Sequence, residues 1–132
     1  MGKFIKGTHH VAIKYEDEKM FDEALKFYCD ILDMELLRTW GEGADRGAMV
    51  DTGNSIIEMF ASGRTIGETG SVNHYALETD DVDGCVEAVR KAGYRIKSEP
   101  EDIVIGSVPP YPARIAFCYG PAGEEIEFFH VK

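Results

Sequence analysis

The chain has 132 residues, 44% of them hydrophobic, enough for one compact domain whose core needs no disulfide or metal staple. A formal net charge of -10 excludes a general nucleic-acid or anionic-membrane binder, because both tasks need a basic face against phosphates. No apolar run has the length of a membrane span, Met1–Lys6 lacks the apolar core of a signal peptide, and Cys29, Cys85 and Cys118 have no Cys-x-x-Cys spacing, so a cytoplasmic protein without disulfides or a thiolate zinc site is expected.

Taken in order, His10 to Tyr15 reads as a strand with Val11, Ile13 and Tyr15 on one face and His10, Ala12 and Lys14 on the other. Glu16-Asp17-Glu18 ends it and supplies a helix cap together with acidic charge at the helix start. Phe21, Ala24, Leu25, Tyr28 and Leu32 recur at helical spacing, which predicts an amphipathic helix with one buried stripe. Asp33 stands where this helix must stop, and Asp tolerates the left-handed conformation better than most residues. Three strands are then expected over Glu35–Thr39, Gly47–Asp51 and Ser55–Ala61, the last two joined through Asp51-Thr52-Gly53-Asn54. The first half is a βαβββ unit.

Ser62–Val72, rich in Gly, Ser and Thr, reads as a connector, after which the order of events repeats. A strand begins at His74, Asp80 and Asp81 are candidate caps, and Val82, Cys85, Val86 and Val89 have the same spacing as Phe21, Ala24, Leu25 and Tyr28. Ala92-Gly93 stops the helix, and strands are expected over Tyr94–Lys97, Ala113–Tyr119 and Glu125–Val131, with a turn at Gly120-Pro121-Ala122-Gly123. Glu99–Pro112 between them is expected to be irregular and long enough to act as a lid over a substrate.

The repeat carries chemistry. His74-Tyr75-Ala76-Leu77 superposes on His10-Val11-Ala12-Ile13 without a gap, which selects His10 over His9 as the equivalent residue. Each histidine strand is followed by one with an inward glutamate, in Ile57-Glu58-Met59-Phe60 and Ile126-Glu127-Phe128-Phe129. Two histidines and two glutamates without thiolates suit a divalent metal such as Ni, Co, Zn, Mn or Fe, with coordination positions left open for substrate. His9 and His130 are expected to be structural or exposed. Lys14, Arg38, Arg64 and Arg114 are local cations that either hold substrate carboxylates or are simply solvated, and Trp40 and Phe60 either line the cavity or pack in the core.

The pieces His10–Ile13, Phe27–Thr39, His74–Leu77 and Ile115–Phe128 resemble the vicinal oxygen chelate superfamily, which includes glyoxalase I, methylmalonyl-CoA epimerase, extradiol dioxygenases, fosfomycin resistance enzymes and bleomycin-binding proteins. The Phe27–Thr39 piece is particularly similar to bacterial glyoxalase I. The resemblance implies an α+β fold of two tandem βαβββ modules, about 7–61 and 72–131, whose curved mixed sheets enclose a metal cavity in a single domain. It also implies one metal per site on His10, Glu58, His74 and Glu127, and a homodimer in which His10 and Glu58 face the second histidine and glutamate of the other copy.

The activity implied is a lyase or isomerase that converts the hemithioacetal of a 2-oxoaldehyde such as methylglyoxal into a 2-hydroxyacyl thioester, by proton transfer through a metal-bound enediolate. Glu127 and Glu58 would be its catalytic bases and a thiol such as glutathione its co-substrate. The alternatives are a CoA-thioester epimerase of the same superfamily, in which Gln usually stands at Glu58, and a non-catalytic drug-binding resistance protein. The sequence departs from glyoxalases at Lys14, where they usually carry Arg, at Ser62 in place of Asn, at Asp33 in place of Gly, and at Gly120–Gly123 in place of Asp-Pro-Asp-Gly. The first two of these positions serve glutathione in the family.

Overall fold

Strand alternation and helix caps carry most of the architecture. In the computed structural model, which describes residues 8–63, 73–107 and 109–132, the chain divides into two units, Met1–Thr65 and Ile66–Lys132. The first contains β1 (His10–Lys14), α1 (Glu18–Leu25), β2 (Glu35–Trp40), β3 (Gly47–Asp51) and β4 (Ile56–Phe60). The second contains β5 (Tyr75–Glu78), α2 (Val82–Lys91), β6 (Ile96–Ile105), β7 (Tyr111–Tyr119) and β8 (Glu125–Val131). The sheet orders are β1-β4-β3-β2 and β5-β8-β7-β6, with the first strand of each unit parallel to the last and the other neighbours antiparallel. The fold is α+β, two tandem βαβββ modules.

Each helix starts on an aspartate. Asp17 Oδ1 accepts the Met20 N–H at 2.9 Å and Asp81 Oδ1 accepts the Gly84 N–H at 2.9 Å, each capping an otherwise orphaned donor. Such a cap contributes about 1 kcal/mol. Burial contributes more, about 1.5–3 kcal/mol for each large apolar side chain removed from water. In the first unit Tyr15, Phe21, Phe27, Tyr28, Val50, Ile57 and Met59 are fully buried, and in the second Val82, Val86, Val89, Ile126 and Phe128. One face of each sheet therefore carries the core and the other carries the polar residues considered below.

The first helix departs from the expected stripe. From Lys26 to Ile31 the chain widens into a π turn, with the Leu32 N–H bonded to the Phe27 carbonyl and the Met34 N–H to that of Tyr28. The wider turn swings Phe27 into the core and leaves Leu25 and Leu32 half-buried. Asp33 then reverses the chain at φ 60°, the left-handed conformation expected of it. The hairpin at Asp51–Asn54 also forms as expected, with the Gly53 N–H on Asp51 Oδ1 at 2.7 Å and Gly53 at φ 111°.

The expectation of an irregular lid over Glu99–Pro112 is corrected. β6 continues to Ile105, and Glu101 to Ile105 pair in register with Ile115 to Tyr111 of β7, so most of this segment is ladder. Register shifts between Ile96 and Ser98 and between Ser98 and Glu101 accommodate Pro100, which has no N–H to give. As the edge strand of its sheet, β6 tolerates both that proline and its run of acidic residues.

Candidate functional site

The register fixes which side chains share a face. Ala12 lies opposite Glu58 across the parallel β1–β4 pair, and Ala76 lies opposite Glu127 across β5–β8. A histidine two residues before the alanine therefore falls on the glutamate's face in both units. His10 Nε2 is 3.3 Å from Glu58 Oε1, and His74 Nε2 is 3.2 Å from Glu127 Oε1. Among the described residues no group of three or more His, Cys, Asp or Glu side chains is gathered for a metal, so within a unit the donor set is a pair.

The two pairs differ in depth. The Glu127 side chain is 11% exposed and that of Glu58 17%, so Glu127 is the more desolvated carboxylate. Burial raises the Glu127 pKa, the facing His74 ring opposes the rise, and the charge of Glu125 adds to it.

Both pairs fit a divalent ion. Two donors each about 2.1 Å from one ion lie about 3.0 Å apart at right angles and about 3.4 Å apart at the tetrahedral angle. The observed separations of 3.3 and 3.2 Å fall between these limits. In the second unit the donor states point the same way, since His74 Nδ1 is 2.7 Å from Asn73 Oδ1, an oxygen that can only accept. A neutral His74 ring then has its proton on Nδ1 and turns a bare Nε2 toward the carboxylate. Two lone pairs at 3.2 Å repel unless a proton or a metal cation stands between them.

The same alternation settles where the other candidates lie. Lys14 pairs with Phe60, Phe60 with Gly47, Gly47 with Trp40, and Arg38 with Met49 opposite Glu58. Lys14, Phe60, Trp40 and Arg38 thus share the face of His10 and Glu58. The Trp40 and Phe60 rings meet edge to face at 6.3 Å. Trp40 lies so close over β3 that a Cβ on Gly47 would be 2.2 Å from its indole carbons. Arg38 Nη1 is bonded to Met49 Sδ at 3.0 Å.

Arg114 is placed elsewhere. It sits one residue out of phase with Phe117 and Ile115 on β7, and it grips Asp83 of α2 through Nε–Oδ2 and Nη2–Oδ1 bonds of 2.7 and 2.9 Å. A further contact of 3.3 Å joins it to Asp102. These carboxylates, Asp83 foremost, raise its pKa, and the guanidinium is held on the helix side of its sheet. Arg64 lies outside the described residues.

The family model described as the Glyoxalase/Bleomycin resistance protein/Dioxygenase superfamily matches residues 7–128. The chain belongs to this superfamily. A "Probable lactoylglutathione lyase" of Synechocystis sp. is 32% identical over 131 residues, covering 93% of this chain and 94% of the relative. The "Lactoylglutathione lyase" of Haemophilus influenzae is 30% identical over 125 residues, covering 84% of each. Among solved structures, an antibiotic binding protein from Streptomyces sp. CB03234 superposes with a TM-score of 0.72 at 19% identity, over 99% of this chain and 100% of that one. At that identity the likeness is one of fold.

This superfamily member also has polar neighbours that its sequence motifs do not flag. His9 is exposed, as expected, but its Nδ1 lies 2.9 Å from His10 Nδ1. Asn73 occupies the same place relative to His74. Phe117 meets the His74 ring edge to face at 5.3 Å. The available signal was positional: in both repeats the residue just before the candidate ligand can form a hydrogen bond.

Proposed function

We propose that the chain is a metal-dependent lyase of the lactoylglutathione lyase type, isomerising the hemithioacetal of a 2-oxoaldehyde and a thiol to a 2-hydroxyacyl thioester. The observation that carries this reading is the pair of His Nε2–Glu Oε1 contacts, 3.3 and 3.2 Å, at matching register positions of two sheets. His10, Glu58, His74 and Glu127 would hold one divalent ion, Ni, Co or Zn foremost, with the four brought together within a chain or across a homodimer. When bound, that ion supplies positive charge beside the substrate's two adjacent oxygens and so acidifies the C–H between them.

The chain's own residues would do the rest. Glu127 takes the proton from the carbon that bears sulfur, and the proton is returned to the neighbouring carbon by Glu127 or, on the opposite face, by Glu58. No atom is gained or lost and no oxidant is needed. Burial suits Glu127 to the task, since a carboxylate with a raised pKa accepts a proton more readily. Lys14 and Arg38, on the sheet face of His10 and Glu58, would meet substrate carboxylates, and Trp40 with Phe60 would offer an apolar surface beside Glu58. Lys14 in place of arginine leaves the choice of thiol open to experiment.

Replacing Glu127 by Gln removes the base while keeping the shape. Metal-loaded Glu127→Gln should lose at least about 100-fold in turnover, the lower range for a positioned general base. Full turnover in that variant would overturn the assignment.

A further inference from the structure

We propose that Asn73 and His9, each directly before a candidate ligand histidine, are positioning residues that restrain the imidazole through its Nδ1, Asn73 in the tautomer whose bare Nε2 is turned to its glutamate. The proposal rests on the metal reading above. An imidazole that ligates through Nε2 must keep its proton on Nδ1 and must not rotate, and a hydrogen bond at Nδ1 secures both.

In the second unit the restraint comes from two sides. Asn73 Oδ1 lies 2.7 Å from His74 Nδ1, and Phe117 packs its ring edge to face against the imidazole at 5.3 Å and 86°. In the first unit His9 Nδ1 takes the place of the amide oxygen, 2.9 Å from His10 Nδ1. One of these nitrogens donates and the other accepts, so His10 presents a bare Nε2 when His9 is the acceptor. The backbone of His9 is itself fixed. Ser55 Oγ–H is shared between the carbonyls of Thr8 and His9 at 3.1 and 3.0 Å, which ties this segment to the start of the strand that carries Glu58.

The two restraints are not equivalent. The Asn73 oxygen can only accept, whereas an imidazole nitrogen either accepts or donates. Asn73 therefore holds its histidine in one tautomer, and His9→Asn should give the first unit the same fixed acceptor.

The test uses the full chain and Co(II), followed by titration calorimetry, with 15N shifts of the histidine rings recorded on the metal-free protein. Asn73→Ala and His9→Ala should each weaken Co(II) binding roughly 10- to 100-fold, the range for loss of such outer partners. Asn73→Asp and His9→Asn, which keep an oxygen acceptor, should stay close to the unsubstituted chain. In the metal-free protein Asn73→Ala should move the His74 ring away from the Nδ1–H tautomer. Unchanged affinity and unchanged ring shifts in both alanine variants would overturn the proposal. If the unsubstituted chain binds no Co(II), the metal reading fails, while the ring shifts still decide whether Asn73 fixes the His74 tautomer and His9 restrains the His10 ring.

Discussion

Arg114 and Asp83 meet through parallel hydrogen bonds of 2.7 and 2.9 Å, and this guanidinium lowers the Asp83 pKa below its ordinary value. A carboxyl depressed in the folded state stabilises the fold fully above its unfolded pKa, about 3.9, and loses that contribution as pH falls through the folded value. Asp83→Asn should therefore be less stable than the unsubstituted chain at pH 7 and converge with it at strongly acidic pH, as urea denaturation at both values would show. Added salt should shrink the difference, because Asp83 is exposed and Arg114 only half-buried. Cys118 makes the opposite case, since burial pushes its thiol up to about 12. It should resist iodoacetamide in the native protein and react once urea unfolds the chain. Arg114 could not be separated from Lys14 by composition, because both are cations on strands. Only the strand phase, in which Arg114 is offset from Phe117, sends it to the helix side.

At the scale of elements, what was legible in the sequence followed simple periods and caps. The alternation of His10–Tyr15 and the spacing of Val82, Val86 and Val89 appear in the structure as β1 and the buried stripe of α2. Phe27 was not legible, because a π turn shifts the helical period and no residue announces it. Phe27→Ala should cost about 3–5 kcal/mol as a buried aromatic truncation, measured by chemical denaturation. β6 beyond Lys97 was hidden for a different reason, since Pro100 and two register shifts break the alternation that marks a strand. Gly47 was equally silent. Its missing Cβ is what lets Trp40 lie across β3 beside Phe60, so Gly47→Ala should displace the indole. Trp40 is the single tryptophan, so the emission of Gly47→Ala should shift toward that of a more exposed indole. An unchanged spectrum would show that the indole does not move.

For the whole molecule, duplication is what singles out the candidate site. A lone strand histidine says little, but His10 with Glu58 and His74 with Glu127 recur at the same register in two sheets. The partners at Nδ1 could not be read in the same way, because His9 and Asn73 are different residue types doing comparable work. If the four candidate ligands meet across two copies, light scattering should give the mass of a homodimer, and a monomer alone would remove that arrangement. Methylglyoxal consumption with several thiols, followed after metal removal and reconstitution with Ni, Co, Zn or Mn, tests the proposed isomerisation. Thioester formation should require a metal and be lost in Glu127→Gln. Absence of turnover with every metal and thiol, or equal turnover in the metal-free protein, would contradict it.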